Sequence, residues 1–99
     1  MTPANLAQSA LTDAAPPSGL SPEAQTLWLI KAHRWEEAHQ IAQDIPSRTG
    51  SWLHALLHLI EGDESNAGYW FARANRPAVP RSGIDAEWEN LAALILPPD

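Results

Sequence analysis

The chain has 99 residues, no cysteine, and 12 acidic against 6 basic side chains, for a formal charge of −6. This length suits one domain with a modest core, and the missing thiols exclude a disulfide framework and a thiolate metal site. The acidic balance argues against nucleic acid as a partner, no stretch is long enough to cross a bilayer, and the start lacks the basic leader and apolar run of a secretory signal; a cytoplasmic protein is expected.

Residues 1–20 are rich in Ala, Pro, Ser and Thr, and Pro16-Pro17-Ser18-Gly19 breaks any helix begun around Leu6 to Leu11. They read as a flexible N-terminal arm, able to carry at most a short docked turn through Leu6 and Leu11, with residues 21–99 as a single helical domain. Ser21-Pro22-Glu23 is a strong helix start: a capping hydroxyl, a proline where its missing amide does no harm, and an acid at the positive end of the dipole. That helix should run to about His33. A second should run from Trp35 or Glu36 to Ile45, with Ala38, Ile41, Ala42 and Ile45 inward, and Pro46 should end it. A loop to Gly50 then leads into SWLHALLHLIEG, which is apolar on almost every side and so reads as a central helix from Ser51, enclosed by others. Gly62 supplies the left-handed position that ends it, and Asp63 can cap the next helix through the amide of Ser65 or Asn66. In that helix Ala67, Trp70, Phe71 and Ala74 share one face. Residues 76–80, with Pro77 and Pro80, should be extended. A last helix opening at Ser82, with Ile84, Trp88, Leu91, Ala92 and Ile95 on one face and Pro97-Pro98 as its stop, is expected to close the open end of the stack.

Displacing the chain by 29 residues lays LWLIKAHRWEEAHQIAQDI over LLHLIEGDESNAGYWFARA: Leu27 falls on Leu56, Ile30 on Leu59, Ala38 on Ala67 and Ala42 on Phe71. Two copies of one helical hairpin explain this, with the alanine of each at the closest crossing of its helices. At these residues the chain resembles the tetratricopeptide repeat, over about residues 21–80. Arg34-Trp35-Glu36-Glu37-Ala38 is similar to that repeat's turn and second-helix start, and Ala67-x-x-x-Phe71-x-x-Ala74 to its small-aromatic-small spacing. It departs from the pattern at His33, where the family has glycine, and at Leu56, where a small residue is wanted. The run HALLHLIEGDESNAGYWFARANRP also resembles a group of small uncharacterised bacterial proteins. Both resemblances imply an all-α fold: two tetratricopeptide-like hairpins plus a C-terminal capping helix.

His54 and His58 stand four apart on the central helix, and Ser51 and Glu61 extend the same stripe. Imidazoles at this spacing can aim at one divalent metal, with His39 of the preceding helix as third ligand and Glu61 as fourth ligand or general base. The competing reading is a structural network, since half-buried histidines commonly hydrogen-bond a neighbouring carbonyl or carboxylate. Ala55 stands where the HExxH signature needs glutamate, so no metalloprotease is implied. A cysteine nucleophile, a GxSxG elbow and a glycine-rich phosphate loop are all missing, so no catalytic residue is assigned.

Trp35, at a turn, reads as an exposed aromatic anchor for a partner, and Tyr69, Arg73 and Arg76 as a polar patch able to grip a carboxylate or phosphate. The leading expectation is therefore a non-catalytic helical-repeat protein that binds a protein partner or self-associates, without a cofactor. The alternative is a small metal-binding protein, or metal-dependent enzyme, using His39, His54 and His58.

Overall fold

A computed structural model of the chain describes residues 1–97. Among them are six α-helices and no strand: α1 (Pro3–Thr12), α2 (Pro22–Lys31), α3 (Trp35–Ala42), α4 (Arg48–Ile60), α5 (Glu64–Arg73) and α6 (Ile84–Ile95), the last preceded by a 3₁₀ turn at Arg81–Gly83. None is long and apolar enough to cross a membrane.

Local chemistry sets most of the boundaries. The Ser21 hydroxyl accepts from the Ala24 amide in front of Pro22, and an Asp63 carboxylate oxygen accepts from the Asn66 amide, as the capping residues require. Helix α2 ends with His33 at φ 60° and α4 with Gly62 at φ 87°. In both, the amide after the left-handed residue reaches back five residues, Arg34 to the Leu29 carbonyl and Asp63 to that of His58, each at 2.9 Å. These two closures stand 29 residues apart, so the sequence offset is also an offset in backbone geometry. Asn75, at φ 57°, ends α5 the same way.

The first hairpin is α2 with α3 and the second is α4 with α5, and α3 also packs on α4 to join them. Ala38 and Ala67, the paired small residues, are both buried. Helix α4 is the centre: every residue from Trp52 to Leu59 is buried, as an enclosed helix demands.

Three boundaries differ from expectation. Helix α4 starts at Arg48, because the Ser47 hydroxyl caps Gly50 and the backbone turns sooner; Ser51 is its fourth residue. Gly50 belongs to this first turn because the chain passes so close to Ile45 that a Cβ would fall 2.1 Å from the Ile45 carbonyl oxygen. Helix α3 ends at Ala42, short of Pro46. Finally, Ile84 rather than Ser82 opens α6.

The expected loose arm is also corrected. Residues 3–12 form a helix capped by Thr2, which buries Leu6 completely, and the Trp28 indole donates to the Ser9 hydroxyl at 3.0 Å. Helix α6 departs from the role of an end cap. It lies over α4, α2 and α1, with Trp88 buried and its indole donating to the Leu27 carbonyl at 3.0 Å. Thus α1 and α6 cover one side of α2 and α4, while α3 and α5 flank α4 elsewhere. Pro98, the second residue of the expected stop, lies outside the described residues.

Candidate metal centre

Helical spacing places His54 and His58 on one face of α4, one turn apart. The packing of α3 on α4 adds His39 from the first hairpin. Its Nε2 lies 3.0 Å from Nε2 of His54, and one nitrogen from each of the three histidines falls within 4.8 Å of the others. His54 and His58 are nearly buried, at 7% and 8% exposure, and His39 is half-buried.

Aromatic rings hold the imidazoles in place. His54 lies between the Trp70 indole, stacked at 3.9 Å between centroids, and the His58 ring, stacked at 4.8 Å. His39 stacks on Trp35 at 4.9 Å and meets the His54 ring edge-on, with an interplanar angle of 85°. Two stacks therefore face each other nearly at right angles, and rotation of any one ring disturbs its neighbours.

The fourth member of the sequence stripe has a different position from the one expected. Glu61 Oε1 is 2.5 Å from Nδ1 of His58, so the carboxylate accepts from that nitrogen and turns Nε2 of His58 away from Glu61. Glu61 is thus an orienting partner of a histidine and stands apart from the three-histidine cluster. His58, Glu61 and Asp63 also lie close together, but the Asp63 carboxylate is committed to the Asn66 amide and side chain at the start of α5.

Desolvation, then the proximity of His39 and His58, pushes the pKa of His54 down from 6.5 to about 4. A neutral imidazole is the form that binds a metal. Two nitrogens on one tetrahedral zinc stand about 3.3 Å apart, from a Zn–N distance of about 2.0–2.1 Å. The His39–His54 separation is within a few tenths of an ångström of that value. Closing the rest of the triad asks for movement of at most about 1.5 Å, the difference between the 4.8 Å ceiling and the tetrahedral spacing.

Comparison with protein-family models, curated proteins and solved structures finds no match for this chain.

The other sequence candidates are dispersed. Trp35 is half-buried and its indole donates to the Leu57 carbonyl at 2.7 Å, so it bridges the hairpins and walls the histidine cluster instead of standing exposed. Its partner carbonyl is 22 residues away in sequence, which is why a turn position alone suggested an anchor. Tyr69 is 55% exposed and accepts from Arg73 at 3.1 Å, while the Arg73 guanidinium lies 5.3 Å from the Trp70 ring. Arg76 is stacked over Trp52 at 4.1 Å. The expected patch therefore divides between Arg73 with Tyr69 and Arg76 with Trp52. Periodicity places Trp70 in the core, and the helix packing adds its part as a wall of the histidine cluster.

Proposed function

We propose that the protein binds one d-block dication, zinc, nickel or copper(II), between its two hairpins through His39, His54 and His58. The observation that carries this reading is the approach of His39 and His54 to 3.0 Å between Nε2 atoms from different hairpins, with His58 beside them and oriented by Glu61. A purely structural network accounts for a pair of histidines sharing one proton. The metal reading adds a common reason for the convergence of all three imidazoles and for the carboxylate on His58 Nδ1, an arrangement that ligating histidines usually show. Imidazole donors suit these ions and disfavour magnesium and calcium, which take oxygen ligands.

The role is binding rather than catalysis. Glu61, the candidate base, is engaged with His58, and the hollow lined by Leu11, Ile30, Ile60, Ile84 and Trp88 is bordered by none of the three histidines. The test is equilibrium dialysis of untagged, chelator-treated protein against zinc and nickel, with a thermal melt of the same samples. One ion per chain is expected. At free metal one hundred times Kd the stabilisation is about 2.7 kcal/mol, a rise in melting temperature of roughly 10–20 °C for a domain of this size. His54→Gln should lose both effects while keeping its helical circular dichroism. No retained metal and no shift would reject the reading.

A second reading, association with another copy or a single protein partner, is supported by that apolar hollow of about 400 Å³, beside which Leu11 is 72% exposed. Light scattering at high protein concentration separates the two: a monomer that takes up metal leaves only the first.

A further inference from the structure

The hollow lined by Leu11, Ile30, Ile60, Ile84 and Trp88 has two further lining residues of opposite charge, Lys31 and Asp85. Lys31 is the last residue of α2 and Asp85 lies in the first turn of α6, so each sign suits its own helix dipole. That accounts for the signs. It does not account for two opposite charges beside one apolar hollow with no bond between them.

Lys31 is half-buried, and its Nζ rests over the Trp88 ring, 4.5 Å from the centroid. Asp85 precedes Trp88 by three positions on α6, which puts the two side chains on one helix face, about one turn apart. The Trp88 ring thus holds an ammonium roughly a helical turn from a carboxylate. Among the described residues neither group forms a salt bridge or a side-chain hydrogen bond, with the other or with a third. His33 lines the same hollow from a left-handed position, φ 60°, the conformation that Gly62 supplies at the end of α4. An imidazole there adds a hydrogen-bonding group that glycine lacks.

We propose that this hollow binds a free α-amino acid with an apolar side chain: Lys31 receives its carboxylate, Asp85 its ammonium, and the side chain enters the hollow. Charge complementarity selects the class. An α-amino acid carries both charges side by side, so it meets Lys31 and Asp85 together through charge-assisted hydrogen bonds. A fatty acid or an amine satisfies one of them and brings its own charge beside the other of like sign. A partner protein's chain loses at least one of the two charges to a peptide bond. Size agrees: about 400 Å³ is near the lower end of the roughly 300–1,000 Å³ of small-molecule sites, which suits one side chain better than a long acyl tail. Leu11, 72% exposed beside the hollow, would be covered by the occupant. This site shares no residue with the metal centre, so the loss of either leaves the other standing.

The experiment follows the backbone and indole NMR signals of the isotope-labelled full chain during titration with phenylalanine, phenylalaninamide and N-acetylphenylalanine. Phenylalanine should shift the signals of Lys31, Ile60, Asp85 and the Trp88 indole saturably. Its midpoint should lie about tenfold below that of either derivative, since each derivative lacks one of the two charges. Lys31→Met should abolish the advantage over phenylalaninamide and keep that over N-acetylphenylalanine, and Asp85→Asn should do the reverse. No saturable shift, equal midpoints for the three compounds, shifts centred away from the hollow, or discrimination that survives both substitutions would each overturn the site. Light scattering on the same samples adds one more outcome: a dimer that phenylalanine fails to dissociate would mean that a second copy covers the hollow, and would overturn it too. The three compounds are compared on the unaltered chain, so the test stands even where a variant fails to fold.

Discussion

Adding the same methyl group to two glycines should have opposite effects. Gly50 and Gly68 both lie in helices, and a Gly→Ala change in an open helix position stabilises by roughly 0.5–1 kcal/mol. At Gly68 a Cβ meets nothing within 4 Å, so that gain should appear in full and raise the melting temperature by roughly 3–6 °C. At Gly50 the new carbon falls 2.1 Å from the Ile45 carbonyl oxygen and 2.8 Å from its Cβ and Cγ2. The first neighbour is backbone and cannot rotate away, so the turn joining α3 to α4 must move. Overpacking of this kind costs about 1–3 kcal/mol or more, and it outweighs the helical gain. The net effect expected for Gly50→Ala is a loss of about 2 kcal/mol, or roughly 10 °C. Because that turn joins α3 to α4, the variant should also weaken zinc binding. Urea melts with a fitted m-value, beside a zinc titration, test this. A Gly50→Ala protein as stable as the parent would refute the close passage at Ile45 and the register of α3 on α4 built upon it.

Acid should weaken the metal-free fold through His54. Its pKa is lowered from 6.5 to about 4 in the folded chain, so the unfolded chain binds the proton first. The stabilisation is complete above pH 6.5 and is lost as pH falls toward 4; the whole shift corresponds to about 3 kcal/mol, and about 1–2 kcal/mol remains after allowance for solvent screening. Urea melts at pH 7 and pH 4.5 measure it, and a His54→Gln protein should show a shallower acid slope. Leu6→Ala, at a fully buried position, should cost about 2–3 kcal/mol and loosen α1 before the rest; hydrogen exchange should report lost protection in α1 with α4 still protected. Trp35→Phe keeps the apolar wall and removes the indole donor to the Leu57 carbonyl, which should cost about 1 kcal/mol in a thermal melt.

Much of this architecture was legible because its determinants are local. Ser21 before Pro22, Gly62 before Asp63, and the apolar circumference of α4 each state a helix start, a helix end or an enclosure within a few residues. The 29-residue offset went further: it also lays His33 over Gly62, and in the fold both are left-handed. What escaped depended on distant partners. Helix α1 offers one strongly buried leucine, and its polar anchor is Ser9 receiving the indole of Trp28 from another helix. Sequence alone starts α4 late because Gly50 signals a loop, whereas the fold uses it for close passage beside Ile45. The histidines show the same division. The His54–His58 pair follows from helical spacing, and the addition of His39 awaited only the packing of α3. The commitment of Glu61 to His58, and the walls supplied by Trp35 and Trp70, depend on side-chain directions that periodicity does not supply.

The most direct measurement is X-ray absorption of the zinc-loaded protein at the zinc edge, together with the crystallographic position of the ion by anomalous scattering. The account predicts one site with three imidazole nitrogens at about 2.0–2.1 Å, placed between His39, His54 and Nε2 of His58, with the remaining ligand an oxygen. An ion bound at the carboxylates of Glu61 and Asp63, or spread over surface sites with no imidazole shell, would contradict it.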